Sequence, residues 1–411
     1  MDDAFPLEGI PAAVRDIARS LRAAGHEAWF VGGAVRDVLF ERRGGGPPPR
    51  VGDFDIATSA PPEAVRALFR RTVPIGIEHG TVAVLDPDGG AHEVTTFRRD
   101  VETDGRHARV AFGASLDEDL ARRDFTINAI AVHPESGEVR DPFGGRADLA
   151  AGALRAVGDP ATRFREDRLR VLRALRFAAV FGFAIEPATW TALVAAVPDL
   201  EHLSRERVRD EWRKTLEAPA PSTGVALWMK AGALASVWPE LAELGADVPG
   251  RLDAIGPPRD PVLLTAAVLW HAGAAEDAAE AAVRRLRFSN DEAARVRVVV
   301  GGLRVPVPAP GMTRELRHWL ARHRLHAHDI VAVAEPRTRR ADLASAIGAI
   351  EASGDALTVR DLAVSGDDLA VAGVPPGKAM GEILRRLLEE VLDEPWRNTR
   401  AHLLARAREL T

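Results

Sequence analysis

The hydrophobic pattern of this 411-residue chain changes near residue 151. Before that point, short strand-like apolar segments alternate with helical segments, and a PDGG turn separates two of the strands. After it, apolar residues recur at helical spacing between Gly- and Pro-rich breaks. The pattern predicts an α+β domain with a mixed or antiparallel sheet, followed by an all-α region. It argues against a doubly wound parallel sheet, and no Gly-x-Gly-x-x-Gly motif follows a strand.

Composition narrows the class of protein further. The chain has no cysteine, which excludes disulfides, cysteine nucleophiles and thiolate metal sites and suits a reducing cytoplasm. No apolar run approaches the ~20 residues of a membrane-spanning helix. The N-terminal MDDAFPLEGI lacks the basic and apolar leader of a secreted protein. We therefore expect a cytoplasmic protein without membrane contact, while the oligomeric state is not predicted.

Charge is distributed unevenly along the chain. The formal net charge is −6, so any binding of nucleic acid has to rest on a local surface. Residues 281–330 contain ten arginines and four acidic residues. Two interpretations of this segment stay open: a solvated helix face with ion pairs, or a surface that contacts phosphates.

Two carboxylates stand two residues apart in a predicted strand. Asp53 and Asp55 in DFDIAT would project from one face, because strand side chains alternate with a period of two. Glu93 lies in HEVTTF, which is predicted to be a partner strand, and its carboxylate could project toward the same site. Converging carboxylates repel unless a cation lies between them, and hard oxygen ligands suit Mg²⁺. We expect Asp53, Asp55 and Glu93 to be catalytic, with Asp53 and Asp55 as ligands of Mg²⁺ ions that bridge phosphate oxygens.

A glycine pair precedes the helical segment GAVRDVLFER. Gly32 and Gly33 form a tight turn in the simplest interpretation. They could also let backbone N–H groups approach a phosphate at a helix N-terminus, with Arg36 adding a fixed cation. Together with the carboxylate pair on the next strand, the second interpretation indicates a site for a nucleoside triphosphate.

These segments resemble those of a known family. VGGAVRD followed by GDFDIAT is similar to the head of the class II tRNA nucleotidyltransferases, the bacterial CCA-adding enzymes and their poly(A) polymerase relatives. Further family motifs are matched in the same order by HEVTTFRR, DEDLARRDFTINAIAV, DPFGGRADL, RFREDRLRVLRALRFAAVFGF and LSRERVRDEW. The resemblance covers nearly the whole chain, including the C-terminal DLAVSGDDL and GVPPGKAMGEIL.

The resemblance implies a domain order and an activity. It predicts a nucleotidyltransferase head at residues 1–150, a nucleobase-recognising helical neck at 151–217, a helical body at 218–335 and a tRNA-binding helical tail at 336–411. The implied reaction adds C, C and A to the 3′ end of tRNA without a template, from CTP and ATP, with two Mg²⁺ ions and release of pyrophosphate.

Several alternatives stay open. Within the same chemistry they are CC-adding, A-adding and poly(A) polymerase activities. Residues 98–113 lack the tyrosine often found in the corresponding loop of the family, which keeps CC-only addition open. The alternative of a different class is a catalytically inactive RNA-binding scaffold.

The resemblance also assigns contacts in RRDFTINA, residues 122–129. Arg123 would contact the nucleotide, and Asp124 would accept a hydrogen bond from the ribose 2′-hydroxyl. Asn128 is expected to be local scaffolding. DPFGG at 141–145 would be a hinge between head and neck, although an ordinary Gly/Pro loop has the same sequence signature.

The segment REDRLRVLRALRF, residues 165–177, is predicted to be a helix. Its apolar face, which continues one turn further, consists of Leu169, Leu172, Leu175 and Ala179. The structural interpretation is an exposed, salt-bridged helix in which Glu166 and Arg170 form an i,i+4 pair.

The functional interpretation follows from hydrogen-bond chemistry. Asp167 is an acceptor and Arg170 is a donor, so the pair fits cytosine and adenine, which both present an amino donor beside a ring-nitrogen acceptor. Uracil and guanine present the reverse pattern, and each mismatch would cost on the order of 1–3 kcal/mol. The resemblance implies that Glu166 braces Arg170 in this protein template and that Arg173 and Arg176 extend the contact to the nucleotide or primer end.

Overall fold

The computed structural model of the protein describes residues 5–42, 54–76, 80–103, 108–335 and 337–411. The chain divides into two compact units, Met1–Pro249 and Gly250–Thr411. The boundaries of the four domains expected from the family resemblance stay a prediction.

The N-terminal unit is built on a mixed β-sheet. Its strands are β1 (Ala28–Val31), β2 (Asp55–Thr58), β3 (Thr72–Gly76), β4 (Thr81–Leu85), β5 (Ala91–Thr96), β6 (Arg98–Thr103), β7 (Ala108–Phe112), β8 (Ala131–Val132), β9 (Val139–Arg140), β10 (Ala153–Leu154) and β11 (Ala184–Ile185). Seven of them form one sheet in the order β3-β4-β5-β2-β1-β8-β9. In this sheet β2 and β5 are parallel and the other neighbours are antiparallel. The predicted α+β head with a mixed sheet is therefore confirmed.

Helices alternate with these strands along the chain and then follow them. They are α1 (Ala12–Ala23), α2 (Gly33–Arg42), α3 (Pro62–Leu68), α4 (Leu116–Ala121), α5 (Gly145–Ala151), α6 (Pro160–Glu166), α7 (Leu169–Phe181), α8 (Pro187–Ala196), α9 (Arg205–Leu216), α10 (Pro221–Lys230) and α11 (Ala233–Val237). Helix α4 begins with a capping box, in which Ser115 Oγ accepts from Glu118 N and a Glu118 carboxylate oxygen accepts from Ser115 N. The boundary between the two units falls within α12 (Val248–Asp253).

The segment predicted as one helix over 165–177 is divided in the structure. Helix α6 ends at Glu166, Asp167 is extended at φ −145° and ψ 105°, and α7 begins at Leu169. The break has a local cause: Asp167 Oδ1 accepts from Leu169 N at 3.0 Å, so the side chain satisfies an N-terminal amide of the next helix. The predicted apolar face of α7 is buried as expected, at Leu169, Leu172, Leu175 and Ala179.

The C-terminal unit is helical throughout its described residues. Its helices are α13 (Pro261–His271), α14 (Glu276–Arg285), α15 (Asn290–Gly302), α16 (Thr313–His323), α17 (Ala327–Ala334), α18 (Arg337–Ala352), α19 (Gly366–Val371), α20 (Lys378–Asp393) and α21 (Arg400–Glu409). A buried cluster that includes Leu369, Leu387 and Leu403 joins the last three of them. In neither unit is any described helix both long enough and apolar enough to cross a bilayer.

The arginine-rich segment 281–330 lies on helices of this unit. At least six of its ten arginines pair with carboxylates, namely Arg284, Arg295, Arg297, Arg314, Arg317 and Arg324. Arg295, for example, contacts both Asp260 and Asp329. These pairs favour the interpretation of a salt-bridged helix surface over a continuous phosphate-binding one.

Candidate active site

A cavity of about 550 Å³ in the N-terminal unit brings together most of the predicted site residues. The predicted residues in its wall are Gly32, Gly33, Arg36, Asp55, Glu93, Arg123, Asp124, Asp167, Arg170, Arg173 and Arg176. Glu166 lies behind the wall in contact with Arg170, and Asp53 lies outside the described residues. The wall also includes Thr81, Thr95, Arg98, Arg122, Asn128 and Phe177.

The cavity has an excess of positive charge. Its wall contains seven arginines and four carboxylates among the described residues. A concave surface of this sign attracts polyanions, because low-dielectric walls concentrate the field of the charges that line it. The cavity therefore suits a triphosphate better than a neutral ligand.

Two of the carboxylates come from neighbouring parallel strands. Ile56 of β2 pairs with Val94 of β5, so Asp55 and Glu93 each occupy the position just before a paired residue. Opposite residues of adjacent strands project from the same face of a sheet. This register brings Asp55 and Glu93 together in the wall of the cavity, while the predicted shared face of Asp53 and Asp55 stays a prediction.

Gly32 allows the β1–α2 turn to pass close to Asp55. Its φ is +85°, a conformation that favours glycine. A Cβ at this position would lie 2.7 Å from Asp55 Oδ2 and 3.7 Å from Arg123 Nη1. The missing side chain thus lets the Asp55 carboxylate lie against the turn, at the point where the ten-residue helix α2 begins.

Arg36 is a buried support of the wall as well as a lining residue. It is 8% exposed, its Nη1 donates to Asn128 Oδ1 at 2.8 Å, and its Nε donates to Asp37 Oδ1 at 2.8 Å. Burial lowers the pKa of the Arg36 guanidinium, although the adjacent carboxylate of Asp37 opposes this effect. Its predicted contact with a phosphate stays a prediction.

Asp124 is held by four donors from the protein. Oδ1 accepts from Phe125 N and Asn128 Nδ2, both at 2.9 Å. Oδ2 accepts from Arg173 Nε at 2.8 Å and contacts Nη2 at 2.6 Å. Burial acts to raise the pKa of Asp124, but the charge of Arg173 and these hydrogen bonds lower it to about 2. A ribose hydroxyl could bind Asp124 only if a donor moved or shared its acceptor, so the ribose contact stays a prediction.

A second buried aspartate holds two arginines side by side. Asp119 is 1% exposed; its Oδ1 lies 2.8 Å from Arg122 Nη2, and its Oδ2 lies 3.4 Å from Arg123 Nη2. Because Asp119 lies on α4, the capping box of that helix indirectly fixes both guanidinium groups in the cavity wall.

Arg170 is fixed by three acceptors. Its Nη1 donates to Glu166 Oε2 at 2.8 Å and to the Arg163 carbonyl at 3.1 Å, and its Nη2 donates to the Arg122 carbonyl at 2.8 Å. The contact expected between Glu166 and Arg170 is therefore present, across the break between α6 and α7. Three of the five guanidinium N–H groups are used in these bonds, which leaves two for a ligand within the described structure.

The carboxylate of Asp167 is held by a residue that the sequence did not indicate. Arg207 Nη2 lies 3.1 Å from Oδ1 and 3.0 Å from Oδ2 of Asp167. Arg207 belongs to LSRERVRDEW, a segment whose resemblance to a family motif carried no assigned role. The two residues are 40 positions apart, so no local pattern relates them.

Phe177 lies among three arginines. The guanidinium carbons of Arg36, Arg173 and Arg176 are 5.1, 5.1 and 4.1 Å from the centre of its ring. The face of an aromatic ring attracts cations, so Phe177 can hold like charges near one another. The apolar periodicity of α7 indicated only a core position here.

The predicted hinge has a packing explanation. A Cβ on Gly145 would lie 2.2 Å from the Thr126 carbonyl oxygen, so α5 can approach this backbone only with glycine. Asp141 Oδ1 accepts from Gly145 N at 2.7 Å, which fixes the start of the helix. The structure thus gives Gly145 a role in close packing, while movement at 141–145 stays a prediction.

Comparisons with known families cover most of the chain in three parts. Residues 28–155 match the family described as Poly A polymerase head domain. Residues 182–244 match the family described as Probable RNA and SrmB-binding site of polymerase A. Residues 262–407 match tRNA nucleotidyltransferase domain 2.

Two curated relatives match this chain over about half of their own length. The CCA-adding enzyme of Anoxybacillus flavithermus is 47% identical over 228 residues, which are 55% of this chain and 55% of the relative. The CCA-adding enzyme of Streptococcus pyogenes (serotype M5) is 50% identical over 211 residues, which are 51% of this chain and 50% of the relative. The chain therefore spans about half the length of the curated relatives it matches.

Solved structures match over a larger share of the chain. The Bacillus stearothermophilus CCA-adding enzyme in complex with CTP has a TM-score of 0.81 and 32% identity, over 97% of this chain and 96% of that one. The Thermotoga maritima CCA-adding enzyme complexed with tRNA has a TM-score of 0.68 over 98% of both chains, and at 22% identity it supports the fold alone. With the family matches and the site geometry, these similarities show that the chain belongs to the family of class II CCA-adding tRNA nucleotidyltransferases and poly(A) polymerases.

Proposed function

We propose that the protein adds C, C and A in turn to the 3′ end of tRNA, from CTP and ATP, without a nucleic-acid template. The observation that carries this proposal is that Asp55 and Glu93 line the same cavity as Asp167 and Arg170. The first two suit phosphoryl chemistry, and the second two suit recognition of a base that presents an amino group. The relatives named CCA-adding enzyme support the same reaction.

The arginines of the cavity would bind and orient the triphosphate. The N-terminus of α2 follows Gly32 and Gly33, and its amide groups favour a negative charge. Arg123 lies close to the same turn, since its Nη1 is 3.7 Å from the position of a Gly32 Cβ. We infer that the phosphates lie along this edge, with the α-phosphate toward Asp55.

The acidic residues fit a divalent cation. Asp55 and Glu93 supply hard oxygen donors from adjacent strands, and Gly32 lets Asp55 Oδ2 lie against the β1–α2 turn. Asp55 and the sequence neighbour Asp53 would hold Mg²⁺, with Glu93 beside them. When bound there, Mg²⁺ would neutralise charge on the phosphates and make the primer hydroxyl more acidic.

The reaction balances without a further reactant. The 3′-hydroxyl oxygen of the tRNA forms a bond to the α-phosphorus, the bond from that phosphorus to the bridging oxygen breaks, and pyrophosphate leaves with its electron pair. The hydroxyl proton passes to solvent or to a nearby carboxylate. Phosphoryl transfer of this kind depends mainly on positioning and charge stabilisation.

Base selection would rest on Asp167 and Arg170. Asp167 would accept from the exocyclic amino group of cytosine or adenine, and a free N–H of Arg170 would donate to the neighbouring ring nitrogen. Because Glu166 and two carbonyl groups hold Arg170, the donor direction is set before the nucleotide arrives. Uracil and guanine would place a carbonyl against Asp167 and an N–H against Arg170.

The proposal can be tested by incubating the protein with tRNA that lacks its CCA end, Mg²⁺ and each labelled nucleotide singly and in combination. The expected product carries two C residues and one A, and UTP and GTP are not incorporated. Addition of C without A would indicate a CC-adding enzyme. A second substrate, tRNA that already ends in C-C, identifies an A-adding enzyme, which would add A to it but no nucleotide to tRNA lacking the CCA end. Long A tracts would indicate a poly(A) polymerase. Binding of tRNA without incorporation would support the inactive scaffold. The cytoplasmic location expected from the sequence stays a prediction.

A further inference from the structure

Helix α9 presents two charged side chains to the wall of the cavity. Arg207 and Glu211 are four residues apart, so they lie on one face of the helix. Arg207 pairs with Asp167, and Glu211 Oε2 accepts from Arg176 Nε at 2.6 Å. Asp167 and Arg176 both line the cavity. Helix α9 therefore places Arg207 beside the anionic Asp167 of the cavity wall and Glu211 beside the cationic Arg176.

The two pairs differ in burial, and this difference separates their roles. The side chains of Arg176 and Glu211 are 12% and 3% exposed, whereas those of Arg207 and Asp167 are 32% and 29% exposed. Removing one partner of a buried pair destabilises a fold strongly, but a solvent-accessible pair adds little to stability. The contact of Arg207 with Asp167 can therefore be removed with less damage to the fold than that of Glu211.

Arg207 determines which acceptor sites of Asp167 remain open. Oδ1 accepts from Leu169 N and Arg207, whereas Oδ2 accepts from Arg207 alone within the described structure. A carboxylate oxygen has about two acceptor sites. One site on Oδ2 is thus left for a ligand, and the two donors on Oδ1 and Oδ2 fix the plane of the carboxylate.

We propose that Arg207 is a positioning residue for base selection, an inference that rests on the proposed function. It holds Asp167 so that Oδ2 receives the exocyclic amino group of cytosine or adenine. Without Arg207, the carboxylate keeps only its bond from Leu169 N and can rotate about that anchor. A hydrogen bond weakens steeply as its geometry departs from linearity, so rotation reduces the preference for an amino donor.

The test compares Arg207→Ala with Arg209→Ala on the same helix. Arg209 also pairs with an acidic residue, Asp210, but makes no contact with Asp167 in the described structure. The kcat/KM values of CTP and UTP are measured on tRNA lacking CCA, and those of ATP and GTP are measured on tRNA that ends in C-C. In Arg207→Ala the preference for CTP over UTP, and for ATP over GTP, should fall about tenfold, the scale of one misplaced hydrogen bond. Arg209→Ala should retain both preferences, and Arg207→Lys should restore part of them.

A double variant shows whether Arg207 acts through Asp167. The preferences of Arg207→Ala/Asp167→Asn should equal those of Asp167→Asn alone. Equal loss for all four nucleotides in Arg207→Ala, unchanged preferences, or an additive loss in the double variant would overturn the inference while leaving CCA addition intact. If wild-type protein adds neither C nor A, the proposed function itself fails. Arg207→Met keeps most of the aliphatic side chain but has no hydrogen-bond donor. It replaces Arg207→Ala in the test if the alanine variant does not fold.

Discussion

Arg173 Nη2 lies 2.6 Å from Asp124 Oδ2, and this pair joins α7 to the segment that follows α4. The Asp124 side chain is 9% exposed, and Asn128 connects it to Arg36 on α2. Three sequence-distant segments of the cavity wall are therefore linked through one carboxylate.

We expect Asp124→Ala to destabilise the protein by about 2–3 kcal/mol, because it removes the acceptor that holds Phe125 N, Asn128 and the one-third-exposed Arg173 side chain. The pKa of Asp124 is lowered from 3.8 to about 2 in the folded protein. A lowered carboxyl pKa contributes stability above the unfolded value, and this contribution is lost as the pH falls through the folded value. Asp124 should thus contribute on the order of 2 kcal/mol above about pH 4 and progressively less toward pH 2.

Urea unfolding of wild type and Asp124→Asn between pH 6 and pH 2 measures this contribution. The difference in the free energy of unfolding should shrink as the pH falls from 4 to 2. Asp16→Asn is the control, since Asp16 pairs with Arg19 at an exposed site where both side chains are about two-thirds exposed. A difference for Asp124→Asn that stays constant over this range would contradict the assigned pKa.

Gly32→Ala should abolish nucleotide incorporation, because its Cβ would lie 2.7 Å from Asp55 Oδ2. Gly25→Ala is a matched control: Gly25 has φ +88° against +85° at Gly32, yet nothing lies within 4 Å of its Cβ position. Both variants should lose roughly 1 kcal/mol of stability from the unfavourable φ. Similar activities in the two variants would show that the close approach of Asp55 to the Gly32 backbone is not required.

Asp55→Asn and Glu93→Gln should each lower incorporation by at least about 10²-fold, the scale on which charge-stabilising groups act. Binding of tRNA should change little, because the positive groups of the wall remain. Asp88→Asn, in the turn between β4 and β5, is an exposed control that removes a carboxylate outside the cavity. Filter binding of labelled tRNA and single-turnover incorporation measure the two quantities. Full activity of both Asp55→Asn and Glu93→Gln would contradict the proposal that Asp55 binds Mg²⁺ with Glu93 beside it.

The sequence predicted the parts of this site that depend on short-range periodicity. Alternation in a strand placed Asp55 on a definite face, and the glycine pair marked the turn before α2. The break at Asp167 was missed, because the apolar spacing continues from Leu169 onward and does not reveal that the preceding carboxylate caps the next helix. Arg207 was missed for a different reason: its partner is 40 residues away, and only the packing of α9 against α7 brings them together.

Arg170→Ala should relax base choice more than it weakens primer binding. The variant removes the donor that matches a ring-nitrogen acceptor, and it takes one donor away from Glu166 and from each of two backbone carbonyl groups. Incorporation of UTP and GTP relative to CTP and ATP should rise by about tenfold or more. Arg165→Ala on the exposed face of α6 is the control. Unchanged rejection of UTP and GTP in Arg170→Ala would contradict the assignment of the base-reading pair.

Phe177→Leu should weaken nucleotide binding while leaving the chemical step nearly intact. Leucine keeps an apolar side chain in the core but removes the ring face that lies 4.1–5.1 Å from three guanidinium carbons. Each cation–π contact contributes roughly 0.5–1 kcal/mol at an exposed site, and partly buried contacts contribute more. The arginines should then spread, so that the KM for CTP and ATP rises about tenfold with little change in kcat.

Phe183→Leu is the control for this variant. Phe183 is also buried and packs against Phe40 and Phe181, but it is not part of the cavity wall. Phe183→Leu should lower the free energy of unfolding by an amount similar to Phe177→Leu and leave the KM for CTP and ATP unchanged. If Phe177→Leu instead lowered kcat at constant KM, the ring would contribute to the transition state rather than to binding. The three arginines would then have to act on the transferring phosphate, where charge develops during the reaction.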